Sequence, residues 1–157
     1  MSASVEPVAA PSAAGAPFHV KNLSPFIGSE VEGIDLKQPQ SEATIAALRA
    51  LLLERGVLFF NGQHLSPEQQ VAFTRRFGPV NTRGPARPGA PIPGLGVFDS
   101  RDEIYGRVSR WHADGTHAAE PSTLKTLQAV ALPPIGGDTI FSGGLGGQGG
   151  SAVALAF

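Results

Sequence analysis

Residues 111–141 read WHADGTHAAEPSTLKTLQAVALPPIGGDTIF and place two histidines and an aspartate within the first seven positions. Residues two apart on a strand point to the same face and lie roughly 6.6 Å apart along the chain, so His112 and Asp114 could converge on one ion. On a helix the same two side chains would diverge. The stretch is therefore either a metal site or a polar loop that contains histidine, and the spacing alone does not decide.

The composition of the 157 residues restricts the kinds of site that the chain can build. Cysteine is absent, which excludes disulfides, thiolate metal sites and a cysteine nucleophile, so histidine and carboxylate would have to hold any metal. The net charge of −1 provides no basic excess for phosphate backbones, and nucleic acid is not expected as a partner. Hydrophobic residues at 41% and charged residues at 16% are compatible with one globular domain.

The first 17 residues, MSASVEPVAAPSAAGAP, contain mainly small residues and prolines, and we expect them to form a disordered tail. They lack the basic start and continuous apolar run of a secretory signal. No apolar run in the chain approaches the ~20 residues that a membrane span needs, so a membrane is not expected as a partner. The sequence thus predicts a soluble, cytoplasmic protein.

Two helices with a strand between them are predicted upstream of residues 111–141. SEATIAALRALLLERG has a suitable N-cap at Ser41, an amphipathic spacing of apolar residues and a stop at Gly56. VLFF, residues 57–60, follows as a short buried strand. SPEQQVAFTRRFGP has Ser66 as N-cap, with Gln69 three residues later completing a capping box.

The later part of the chain is predicted to consist of loops and short strands. Residues 81–96 are rich in proline and glycine, and Arg83 and Arg87 within them are either solvated charges or contacts for an anionic substrate. Helices first and strands later predict an α+β fold with an antiparallel sheet or barrel. The predicted strands are GVFDS, STLKTLQAVAL and DTIF, at residues 96–100, 122–132 and 138–141.

Residues 111–141 resemble the metal-binding segment of the TauD/TfdA family, the Fe(II)- and 2-oxoglutarate-dependent dioxygenases. In that family a Trp-His-x-Asp motif is followed by a strand, an LP..GGDT turn and another strand. The resemblance extends to IGSEVEGIDLKQP and LLLERGVLFFNGQHLSPEQQVAFTRRFGPV, in the same order, and covers residues 18–142. It implies an incomplete double-stranded β-helix, or jelly roll, with flanking N-terminal helices.

The resemblance assigns roles residue by residue. His112 and Asp114 match two of the three protein ligands of Fe(II), and Thr139 matches the threonine that hydrogen-bonds 2-oxoglutarate. Trp111 is expected to pack beside the site, whereas His117 matches no family ligand and is expected to be a polar loop residue. Since iron and cosubstrate carry the reaction, no side chain is assigned as a catalytic acid or base.

The family implies dioxygen and a small, anionic organic molecule as substrates, from the sulfonate, sulfate ester or aryloxyalkanoate class. In taurine-type members an asparagine stands three residues before the motif tryptophan and helps to bind substrate. Val108 occupies that position here, so taurine itself is not the expected substrate.

The chain departs from the family pattern after residue 142. The complete fold needs further strands, with a distal histidine ligand and an arginine that pairs with the far carboxylate of 2-oxoglutarate. No histidine follows His117 and no arginine follows Arg110 in this sequence. Residues 143–157 begin with six glycines in eight positions and are predicted to be a tail outside the family pattern. We therefore expect a truncated domain that lacks appreciable dioxygenase activity by itself.

Two functions from different classes follow from the sequence. The first is an Fe(II)- and 2-oxoglutarate-dependent dioxygenase, represented by the N-terminal part of its domain. The second is an inactive fragment that serves as a binding or interaction module. It would self-associate through the sheet edges that missing strands leave open.

Overall fold

The computed structural model describes residues 16–80, 92–99, 101, 111–114, 119, 121–142 and 153–156. Most of the predicted N-terminal tail, most of the loop at residues 81–96 and the glycine-rich residues 143–152 lie outside these ranges. The elements in chain order are β1 (His19–Asn22), β2 (Ser29–Glu32), α1 (Glu42–Arg55), β3 (Val57–Phe59), α2 (Pro67–Arg75), β4 (Leu124–Leu127) and β5 (Val153–Ala156).

Strands β1 and β2 form an antiparallel pair that is fastened to the end of α1. Gly28 precedes β2 with φ +82°, a backbone conformation that side chains disfavour. Its N–H donates to the carbonyl oxygen of Arg55 at 2.9 Å. A Cβ at this position would also meet the Phe59 ring at 3.6 Å, so the turn lies directly against β3.

Helix α1 begins and ends where the sequence predicts. The Ser41 side chain accepts a hydrogen bond from the backbone N–H of Thr44, which satisfies one of the free donors of the first turn. At the other end Gly56 has φ +70° and donates its N–H to the carbonyl oxygen of Leu52 at 2.8 Å. Gly56 is the single residue between α1 and β3.

The predicted capping box of α2 is confirmed. The backbone N–H of Gln69 donates to the Ser66 hydroxyl at 3.3 Å, and the Ser66 N–H donates to the Gln69 side-chain oxygen at 2.8 Å. Pro67 occupies the first turn, where its missing N–H costs nothing. Neither α1 nor α2 is long and apolar enough to cross a membrane.

The five described strands form one mixed sheet in the order β1-β2-β3-β5-β4. The β1-β2 pair is antiparallel, but β2-β3, β3-β5 and β5-β4 are parallel. The expected antiparallel sheet is therefore wrong for three of the four pairings. The reason is the connections: a parallel pair needs a long crossover, and α1 supplies one between β2 and β3.

The hydrophobic core lies between the two helices and one face of this sheet. Leu48 of α1 and Leu58 of β3 are completely buried, as is Phe60 directly after β3. The Phe60 ring meets Phe73 of α2 edge-to-face, with centroids 6.3 Å apart, and Phe77 continues the cluster. Side chains alternate along a strand, so the residues of β3 and β4 that lie next to core-facing residues point to the opposite side of the sheet. We call this side the far face.

The structure contradicts part of the predicted strand content. Described residues 96–99 and residues 138–141 are not strands, and the strand predicted at 122–132 is reduced to β4. Residues 138–141 follow Gly136 and Gly137, both at positive φ, and no described strand pairs with them. A β-prone sequence without a neighbouring strand lacks the cross-strand contacts that stabilise a sheet. The jelly roll stays a prediction, since the described residues form only the mixed sheet and two helices.

Candidate metal centre

Strand β4 is fixed by α2 and presents its other side to the far face. Thr126 lies on the helix side, where its hydroxyl is 2.9 Å from that of Thr74, and Leu124 packs against the core. Lys125 stands between these two residues and so points to the far face. The register across the sheet agrees with this orientation. Lys125 of β4 and Val57 of β3 both pair with Ala154 of β5, whereas Thr126 and core residue Leu58 both pair with Leu155.

His112 and Asp114 come together at this strand. The Nε2 atom of His112 lies 3.5 Å from Oδ1 of Asp114, and the two side chains are 52% and 41% exposed. The second oxygen of Asp114, Oδ2, lies 3.1 Å from Nζ of Lys125. Residues 111–113 are not in a strand and Asp114 lies in a turn, so the contact does not arise from the strand geometry that the spacing would allow. The two side chains nevertheless lie close together.

The separation of the two donor atoms fits a shared ion. Two ligands that each stand about 2.1 Å from one metal, with their atoms 3.5 Å apart, subtend an angle of roughly 110° at the metal. That angle is the tetrahedral value and exceeds the 90° between adjacent octahedral ligands, for which the two atoms would have to approach to about 3.0 Å. Imidazole and carboxylate are also a donor set that Fe(II) accepts. Within the described residues, no group of three or more candidate ligands forms.

Thr139 lies in a segment that is anchored to the far face. Phe141, two residues later, packs edge-to-face on Phe59 of β3, with ring centroids 5.9 Å apart. Phe59 occupies the face opposite to core residue Leu58, and it aligns through β5 with Leu127 of β4. Thr139 itself is exposed. The structure thus brings the GGDT segment to the sheet face that carries His112 and Asp114.

The other residues considered from the sequence have different outcomes. Trp111 is 73% exposed, so the expectation that it packs beside the site is wrong for the described residues. His117 lies outside the described residues, and its assignment as a loop residue stays a prediction. The same is true of Arg83, Arg87 and Val108.

Lys125 is the site residue that the sequence interpretation missed. The signal for it was available in LKTL, where a lysine stands between two residues that pack toward the helices. Alternation on a strand would then have placed the lysine on the opposite face. What the sequence could not supply was the neighbour, because only the folded chain brings Asp114 to within 3.1 Å of it.

Comparisons with known proteins identify one family profile and several similar proteins. The sequence profile of the family described as "Taurine catabolism dioxygenase TauD, TfdA family" matches residues 19–145. The alpha-ketoglutarate-dependent 2,4-dichlorophenoxyacetate dioxygenase of Cupriavidus pinatubonensis is 34% identical, over 76% of this chain and 47% of that protein. The alkylsulfatase of Acinetobacter baylyi is 32% identical, over 80% of this chain and 39% of that protein. A solved taurine dioxygenase from Burkholderia xenovorans is 41% identical over 42% of this chain and 24% of that one, with a TM-score of 0.41.

The extent of these matches differs between this chain and its relatives. The chain spans less than half the length of the two curated relatives named above. The family profile, in contrast, covers most of this chain, and His112, Asp114 and Thr139 all lie inside the matched range. On this match, the chain belongs to the TauD/TfdA family.

Proposed function

We propose that the chain is part of an Fe(II)- and 2-oxoglutarate-dependent dioxygenase domain in which His112 and Asp114 supply two of the metal ligands. The observation that carries the proposal is the 3.5 Å approach of His112 Nε2 to Asp114 Oδ1, within the segment matched by the family profile. Both side chains are about half exposed, so ligands from solution have access to them.

The residues of this chain have separate tasks in that function. When bound, Fe(II) and 2-oxoglutarate supply the activation of dioxygen. Asp114 contributes a negative charge and a hard oxygen donor, and His112 a neutral nitrogen donor. The hydroxyl of Thr139 donates a hydrogen bond to a carboxylate oxygen of 2-oxoglutarate. Phe141, packed on Phe59, holds the backbone near Thr139 in place.

The substrate class that we propose is a small organic anion: an aryloxyalkanoate, a sulfate ester or a sulfonate. The support is the names of the relatives, which act on 2,4-dichlorophenoxyacetate, phenoxypropionate and sulfate esters. Val108 in place of the asparagine of taurine-type members argues against taurine. Calorimetric titration of the metal-loaded chain with one compound from each class would rank them, and tighter binding of taurine than of all others would contradict this choice.

The metal assignment predicts that His112→Ala and Asp114→Ala each abolish specific Fe(II) binding. Each change removes one of two converging donors, and a single exposed ligand binds a divalent ion only weakly. The measurement is anaerobic calorimetric titration of the chain with Fe(II). His64→Ala is the matched control, because His64 is an exposed histidine outside the site. Undiminished affinity in either site variant would refute the assignment.

The same titration, continued with 2-oxoglutarate, tests Thr139. Loss of a hydrogen bond to a charged carboxylate costs roughly 1.5 to 3 kcal/mol, so Thr139→Ala should weaken 2-oxoglutarate binding at least about tenfold. Thr139→Ser keeps the hydroxyl and should retain most of the affinity. Equal affinities for the alanine and serine variants would rule out this role of the hydroxyl.

A second function, self-association as an interaction module, is supported by the sheet edge. Strand β4 is an outer strand of the described sheet, and an unpaired edge is a template for another strand. The chain that follows it exposes several large apolar side chains. They are Val130, Leu132, Ile135 and Ile140, each between 73% and 91% exposed.

A further inference from the structure

The two oxygens of Asp114 have different neighbours. Oδ1 is directed to Nε2 of His112 at 3.5 Å, whereas Oδ2 is held by Nζ of Lys125 at 3.1 Å. The ammonium and the carboxylate form an ion pair at that distance. One oxygen therefore points to the proposed ion, and the other is occupied by a cation.

We propose that Lys125 is a positioning residue that limits Asp114 to ligation through one oxygen. This inference rests on the proposed function, because it assumes that His112 and Asp114 share an ion. A carboxylate can ligate with one oxygen or with both. Two-oxygen ligation would require Oδ2 to leave Lys125 and turn toward the ion, so the lysine keeps one coordination position open for other ligands.

Hydrogen bonds to α2 and to Leu65 hold the backbone that follows Lys125. On the helix side, Gln70 donates to the Thr126 carbonyl oxygen at 3.4 Å. Beyond the strand, the amide of Gln128 makes two hydrogen bonds with the backbone of Leu65, at 3.0 and 3.1 Å. Lys125 thus extends from a strand that is fastened at the next residue, Thr126, and again directly beyond its end, at Gln128.

The lysine also has an electrostatic cost for metal binding. The ammonium of Lys125 beside Asp114 repels a divalent cation bound to the same carboxylate, so the affinity for the ion is lower than it would be without the lysine. Both side chains are about 40% exposed, so solvent screens the pair and its contribution to folding stability is small. The effect of Lys125 is therefore expected in metal binding and coordination, with little change in stability.

The test compares Mn(II) binding by the wild-type chain and the Lys125→Met variant. Methionine keeps the length of the side chain and removes the charge. We expect Mn(II), titrated by electron paramagnetic resonance of the free ion, to bind about fivefold more tightly to the variant, the upper range for an exposed ion pair. We also expect about one fewer water on the bound ion, measured by water-proton relaxation, since Asp114 then takes a second position.

Two further variants separate position from charge. Lys125→Arg restores a cation at the same place and should return both the affinity and the water number toward wild-type values. Lys21→Met removes a lysine that pairs with Glu30 on the same sheet face, four strands away. At about 4.8 Å per strand this distance is near 19 Å, beyond the screening length, so Mn(II) binding should not change.

The results distinguish the proposed role of Lys125 from the proposed metal centre of His112 and Asp114. If Mn(II) binds through His112 in the wild-type chain but Lys125→Met binds no more tightly and with the same number of waters, the role of Lys125 is wrong and the metal centre stands. If His112→Ala leaves Mn(II) binding intact, both the metal centre and the inference are overturned.

Discussion

At the scale of single residues, Arg55 is a buried cation whose observed partners are all uncharged. The side chain is only 5% exposed. Its guanidinium donates to the Ser29 hydroxyl at 2.9 Å and to the carbonyl oxygens of Ser24, Pro25 and Gly28 at 2.6, 3.1 and 3.3 Å. Its five donors in a fixed fork allow one side chain to hold the whole turn between β1 and β2.

Arg55→Ala should therefore be strongly destabilising. The change removes four hydrogen bonds of the turn, two of them buried, and we expect the free energy of unfolding to fall by about 3 kcal/mol. Urea unfolding followed by circular dichroism measures this. Arg49→Ala is the control, because Arg49 is exposed although it also bonds a carbonyl oxygen, that of Phe77. If Arg55→Ala lowers the free energy of unfolding no more than Arg49→Ala does, the hydrogen bonds of Arg55 do not stabilise the turn as proposed.

The candidate site could be predicted from sequence only in part, and the reason lies in single residues. His112 and Asp114 belong to one short motif, so a sequence pattern with its family resemblance could name both as candidate ligands. Lys125 lies eleven residues after Asp114 and contributes through a contact that no local pattern encodes. Thr139 reaches the same sheet face because the Phe141 ring meets Phe59, a pairing of residues 82 positions apart.

At the scale of elements, the capping box of α2 is a local feature with a measurable value. Ser66→Ala removes the acceptor for the N–H of Gln69, and loss of such a cap costs typically about 1 kcal/mol. The measurement is the midpoint of urea unfolding. Ser66→Asp keeps an oxygen acceptor at the N-cap and should retain stability. If the alanine and aspartate variants are equally unstable, the hydroxyl contact is not what stabilises the helix.

The elements also show which parts of the fold a sequence can reveal. Both helices were predicted with their caps, because the signals lie within a few residues of each end. Strands depend on partners that are distant in sequence, so residues 138–141 have strand composition yet no described strand beside them. Strand β5 was not predicted, because the glycine content of residues 143–157 indicated a flexible tail. The strand forms where partners are present, since it pairs with β3 and β4.

At the scale of the whole molecule, the helices cover one side of the sheet, and the segment after β4 exposes several large apolar side chains. Such a surface favours association. If it does so here, the chain should self-associate, and Ile135→Lys combined with Val130→Lys should shift it toward monomer. Sedimentation velocity at several concentrations measures this. Leu53→Lys is the control, since Leu53 is an exposed apolar residue on α1. Equal association of all three proteins would reject the interaction module built on this segment.

Gly56 alone connects α1 to β3, so insertions and deletions are poorly tolerated at this point of the chain. One codon inserted there would either shift β3 by a residue or rotate α1 by about 100°. The first change would turn Phe59 toward the helices and Leu58 away from them, and the second would move Leu48 and Leu52 out of the core. Surface loops absorb insertions at little cost in chain entropy. Length variation between homologous genes should therefore fall outside the interval that encodes Leu52 to Phe60.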